Sequence, residues 1–96
     1  MKSKIVLLNV MKYGKEGGEK KPTTRIEFAF TDVKNEENYF GSNVITSFVN
    51  GHDAFNKLNA DMTFKVLDAE FEIKEDYYNP LATRKILKSI NGINLK

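Results

Sequence analysis

Residues 4–30 read KIVLLNVMKYGKEGGEKKPTTRIEFAF. Two strand-like runs flank a polar, glycine-split basic segment, and that pattern sets the fold class. In the first run, 4–13, Ile5, Leu7, Asn9 and Met11 point one way and Val6, Leu8 and Val10 the other. Apolar residues on both faces predict a strand covered on both sides over part of its length, as in a small closed barrel. The second run, 24–33, alternates cleanly. Ile26, Phe28 and Phe30 face a core, and Arg25, Glu27, Ala29 and Thr31 face outward. Gly17-Gly18 between them allows the positive φ angles of tight turns. The segment is too polar to bury, so it is expected to protrude as a β-hairpin carrying Lys12, Lys15, Lys20, Lys21 and Arg25.

Outward from this hairpin the chain continues as strands. Residues 32–38 form a polar loop. Residues 39–49 form a third strand with a bend at Gly41, in which Val44, Thr46 and Phe48 oppose Ile45, Ser47 and Val49. Asn50-Gly51 closes it. Asp53 caps a short helix, 54–59, whose Phe55 and Leu58 plug a barrel end. A fourth strand covers 62–76. There Phe64 and Val66 share one face, while Leu67, Ala69, Phe71 and Ile73 share the other, a slip that predicts a β-bulge.

Residues 80–91 admit two readings. Asn79-Pro80 can open a helix that Gly92 ends, or Tyr77–Pro80 is a hairpin tip and 83–90 a fifth strand with Arg84, Ile86, Lys88 and Ile90 on one side. The strand is preferred because a fifth strand closes the sheet. The expected architecture is therefore one all-β domain, 1–96, with one short helix: a five-stranded OB-like barrel with a protruding basic hairpin.

Composition narrows the function class. In 96 residues, 41% are hydrophobic and 29% charged, ordinary for a globular domain with one modest core. No apolar run approaches the roughly 20 residues that span a bilayer. The basic start MKSKIVLLNV is too short and too broken by Asn9 for a signal peptide, and there is no cysteine. A cytoplasmic location without membrane attachment is the expectation. Net charge is +2, unevenly spread: residues 1–25 carry seven Lys/Arg and two Glu, 26–80 four basic and eleven acidic side chains, and 81–96 four basic side chains and no acid. If the chain ends meet, they form a basic face opposite an acidic one.

Catalytic chemistry finds little footing. His52 is the one histidine and falls in a turn; no nucleophile motif or phosphate-binding glycine loop occurs. Asp68, Glu70 and Glu72 share a strand face, but such neighbours stand about 7 Å apart, too far for a compact metal cage. No enzyme activity, cofactor or metal is expected. Phe28, Phe30, Phe48, Phe55, Phe64 and Phe71 read as core. Tyr13, Tyr39, Tyr77 and Tyr78 lie at element ends, where they can stack on unpaired bases beside Lys12, Lys15, Lys20, Lys21, Arg25 and Arg84. Aromatic platforms among cations suit single-stranded nucleic acid.

The pieces GKEGGEKKP at 14–22 leading into TRIEFAF at 24–30, NEENY at 35–39, and FEIKEDYYNPL at 71–81 before TRKIL at 83–87 resemble the small OB-fold single-stranded-DNA-binding proteins of phages and mobile elements, especially the filamentous-phage type. The resemblance spans most of the chain in order and character. It implies a basic hairpin holding DNA through Lys15, Lys20 and Lys21. It also implies aromatics before the third strand at Tyr39 and at a later tip at Tyr77 or Tyr78, and an arginine in the last strand at Arg84. Thr23 stands where the family has an aromatic. The resemblance further implies a homodimer that coats DNA without sequence preference in replication or DNA protection, in company with replication proteins. Acceptance of RNA depends on room for a 2′-hydroxyl. The alternative is a small β-barrel interaction module of a phage or mobile element, with the basic hairpin docking an acidic protein surface.

Overall fold

The computed structural model describes residues 1–75 and 83–95. It is mostly β, with one short helix. Strands β1 (Lys2–Tyr13), β2 (Thr23–Phe30), β5 (Val44–Asn50), β6 (Val66–Glu75), β7 (Thr83–Ile90) and β8 (Ile93–Asn94) form one antiparallel sheet in the order β5-β2-β1-β6-β7-β8. A separate hairpin pairs β3 (Lys34–Glu36) with β4 (Tyr39–Gly41). Helix α1 (Asp53–Lys57) and a 3-10 turn, Ala60–Met62, connect β5 to β6.

The alternation in β2 survives intact: Ile26 and Phe28 are buried, Phe30 packs against the core, and Thr24 is fully buried at the strand start. In β1 the two-sided apolar pattern has a different cause from the one expected. Leu7 pairs with Phe28 and Asn9 with Glu27, so Leu8 is an extra residue, a bulge that switches the inward face. Ile5 and Leu7 point in before it and Val10 after it. The strand is therefore not covered on both sides; its apolar set changes parity once.

A second bulge falls in β7 rather than in the fourth strand of the sequence reading. Glu70 pairs with Ser89 and Phe71 with Leu87, leaving Lys88 over. Leu87 and Ile90 consequently both reach the core, while Ile86 is only half-buried. Ile86 and Ile90 therefore do not share one face as expected. The inward spacing of three created by the bulge also explains why a helix fitted these residues almost as well as a strand. β6 itself starts at Val66 and alternates without a slip. Phe64 lies before it, in a turn, and both Phe64 and Val66 are exposed.

Other boundaries moved for local reasons. The expected polar loop at 32–38 supplies β3 and the Glu37-Asn38 turn of the small hairpin. The expected third strand breaks at Gly41, whose φ is 148°, into β4 and β5. Asp53 is not the helix cap: His52 takes that position without a side-chain cap bond, and Asp53 lies in the first turn. Ala54 and Leu58, four apart, bury against the sheet, and Phe55 is only half-buried. Asn91 and Gly92, with φ of 50° and 78°, make a two-residue turn into β8, seating Leu95 in the core.

The sheet is open, not the closed five-stranded barrel expected. It curls enough for Phe48, Val49 and Asn50 of β5 to line a cleft of about 480 Å³ with Ile86 and Leu87 of β7, but β5 and β7 do not pair. The Asn91-Gly92 turn folds β8 onto Ser89 and Ile90, occupying part of the β7 edge that a closing strand would need. The core runs through the inner face: Phe28, Phe30 and Phe71 form a ring cluster with centroids 5.7–5.9 Å apart, surrounded by Ile5, Leu7, Ile26, Leu67, Leu87 and Ile90.

Candidate nucleic-acid interface

Cross-strand partners present their side chains on the same face of a sheet, so the register defines the outer surface of β1, β2 and β5. Tyr13, Thr23 and Asn50 make one row; Met11, Arg25 and Phe48 the next; Asn9, Glu27 and Thr46 the third. Val6, Ala29 and Val44 follow beyond the bulge. Phe48 is 62% exposed, and Tyr13 and Met11 are exposed at 38% and 37%. The centre of the face is thus an arginine between an exposed phenylalanine and a methionine, with a tyrosine one row away.

Arg25 is partly committed within the chain. One of its terminal nitrogens lies 3.5 Å from Glu27, and its Nε is buried with no acceptor among the described residues. The half-buried Glu27 carboxylate beside it offsets part of its charge.

The basic loop borders this face. The β1–β2 ribbon pairs as far as Tyr13 and Thr23, and residues 14–22 then turn back on themselves. The Lys15 N–H donates to the Lys20 carbonyl and the Gly18 N–H to the Lys15 carbonyl, each at 3.1 Å. The loop is tied to the start of the helix connection, where the Gly51 N–H donates to the Pro22 carbonyl at 2.8 Å. His52 Nε2 donates to the Tyr13 carbonyl at 3.0 Å, and Thr24 Oγ1 donates to the Gly51 carbonyl at 2.8 Å. Its base is therefore anchored, while Lys15, Lys20 and Lys21 stay exposed. Gly14 is the hinge: its φ is 79°, and a Cβ there would lie 2.1 Å from the Lys21 carbonyl oxygen. Gly14→Ala is expected to displace the loop and cost about 1–3 kcal/mol, measured as a lowered midpoint in urea.

The remaining residues of the sequence-based site scatter. Lys12 pairs with buried Thr24, on the opposite face from Arg25, and its ammonium stands 5.0 Å from the Phe55 ring centre. Tyr39 is 45% exposed but belongs to the β3–β4 hairpin, which leaves the sheet at the strand end away from Tyr13, and its hydroxyl lies over Gly41. Arg84 is in β7, opposite Lys74. Tyr77 and Tyr78 lie outside the described residues. Phe48 was missed because its place in an alternating strand reads as core. It is exposed because it shares the outer face with Val44 and Thr46, while Ile45, Ser47 and Val49 of the same strand turn inward.

The acidic row resolves differently from a separate acidic face. Lys2 pairs with Glu70 and Lys4 with Asp68, and the Lys4 ammonium forms an ion pair with Asp68. The acidic strand β6 thus lies between β1 and the basic β7, so the two basic chain ends do not merge into one surface. No cluster of three or more His, Asp or Glu suited to a metal ion occurs among the described residues. Among them, too, no helix is long and apolar enough to cross a membrane. Comparison with protein-family models, curated proteins and solved structures finds no match.

Proposed function

We propose that the chain is an OB-like module, opened at the β5–β7 seam, that binds single-stranded DNA without sequence preference in replication or DNA protection. The observation that carries this reading is the Met11–Arg25–Phe48 row, an exposed aromatic and a cation side by side, beside a loop bearing Lys15, Lys20 and Lys21. Five long strands in the order β5-β2-β1-β6-β7, with a helix between β5 and β6, fit an OB arrangement. In that fold the face of the second and third strands and the first strand–strand loop contact oligonucleotides. Those elements are β2, β5 and residues 14–22 here.

In this mechanism Arg25 and the loop lysines neutralise phosphates, while Phe48 and Tyr13 offer ring faces to unstacked bases. Every base has such a face, so stacking binds without choosing sequence. Lys12 and Tyr39 stand apart from the groove. Strands β6 and β7, the latter carrying Arg84, would form its far wall. Association between copies remains part of the proposal, as do replication proteins as companions.

Fluorescent oligo-dT titrated at two salt concentrations tests the function. Log affinity is expected to fall with log salt by about 0.7 per phosphate neutralised, with duplex of equal length bound more weakly. Absence of binding at low salt would remove nucleic acid as the ligand and leave the protein-interaction reading.

A further inference from the structure

Two exposed apolar features take no part in the proposed groove. The first is a cleft of about 480 Å³ on the helix side of β1, lined by Leu8, Val10, Phe55, Leu58, Thr63 and Phe64. Phe64 is 76% exposed and has a φ of 63°, a region bulky side chains avoid; its N–H donates to the Leu7 carbonyl at 2.7 Å, which holds it there. Lys12 stands over the Phe55 ring, and Lys65 follows Phe64. Asp61, on the same connection, is the nearest acid in sequence.

The second feature is the β3–β4 hairpin. Phe40 on it is 80% exposed, the most exposed large hydrophobic side chain among the described residues. The segment around it carries Asp32, Glu36 and Glu37 against one lysine, Lys34, and all four are exposed. The hairpin enters β5 at Val44, whereas α1 follows Asn50, six residues or roughly 20 Å further along the strand. In one copy the two features therefore face different neighbours.

We propose that the hairpin of one copy seats Phe40 in the Phe55–Phe64 cleft of another, with Glu36 and Glu37 against Lys12 and Lys65. An exposed aromatic with a net acidic border meets an aromatic-lined cleft with a lysine border. The two surfaces are different, so the contact is heterologous and propagates head to tail instead of closing as a two-fold pair. Strain held at an exposed aromatic is the kind of local cost that persists at binding sites. The inference does not rest on nucleic-acid binding, and its test contains none.

Sedimentation of the full chain over a wide concentration range, with Phe40→Ala and Phe64→Gly measured alone and mixed, decides it; circular dichroism establishes that each variant is folded. The parent is expected to grow in mass with concentration without stopping at a dimer. Each variant alone is expected to stay monomeric, and an equimolar mixture to form a 1:1 dimer, because one supplies the intact cleft and the other the intact hairpin. Glu37→Lys and Lys65→Glu probe the charged border without touching the apolar packing: each alone weakens association, and mixing restores growth in mass, because both contacts between unlike copies then pair opposite charges. A parent that stays monomeric, a dimer that none of the variants disturbs, or a mixture that remains monomeric would overturn the proposal.

Discussion

Phe28→Ala is expected to cost about 3–5 kcal/mol, a large part of the roughly 5–15 kcal/mol that holds a domain of this size folded. Phe28 is 1% exposed in the central part of β2, and its ring meets both Phe30 and Phe71. Truncation leaves a cavity bounded by strands on both sides of the sheet, where backbone pairing limits collapse. The buried set is small, with twelve buried hydrophobic residues among the described ones, so few neighbours can fill the space. Urea unfolding followed by circular dichroism should show a midpoint shifted far down or a chain unfolded at room temperature. Phe28→Leu, which keeps most of the volume, should lose much less.

The second large effect concerns the groove. Phe48→Ala is expected to weaken oligo-dT binding by about 1–3 kcal/mol, that is, about fivefold to more than a hundredfold. Folding should be little changed, because Phe48 is already 62% exposed. Arg25→Ala should act differently. It removes a phosphate contact, so affinity falls and the salt slope becomes shallower by about 0.7. Phe48→Ala leaves that slope unchanged. Glu27→Gln moves the other way, tightening binding at low salt, since the carboxylate next to Arg25 no longer competes for it. Lys12→Ala should alter neither quantity, because Lys12 faces Phe55. Equal losses from Lys12→Ala and Arg25→Ala would mean that the face defined by the strand register is not the binding surface.

The particular residues show how much of this was legible in the sequence. The β1–β2 ribbon was readable because Ile26, Phe28 and Phe30 alternate without interruption and glycines mark the turn. The strand at Thr83–Ile90 was readable in extent but not in facing. Bulges at Leu8 and Lys88 each convert a spacing of two into a spacing of three, and a bulge leaves no composition signal of its own. Exposure of Phe48 and Phe64 was not readable at all. Alternation places a side chain on a face, but whether that face is covered depends on which elements pack there. The expected closed barrel would have covered the β5 edge; the Asn91-Gly92 turn instead sends β8 to the β7 edge. Of the residues singled out from charge and position, Arg25, Tyr13 and the loop lysines share or border one face, while Lys12 lies on the opposite one because the bulge reverses the parity of β1.

The central claim is that single-stranded nucleic acid lies across the outer face of β1, β2 and β5. Mapping amide and side-chain NMR shifts of the full chain as oligo-dT is added tests it most directly. The expected result is that the largest changes fall on Met11, Tyr13, Arg25, Phe48 and the 14–22 loop, with Phe55 and Phe64 unmoved. Changes centred on Phe55, Phe64 and Lys12, or none in the presence of excess oligonucleotide at low salt, would contradict it.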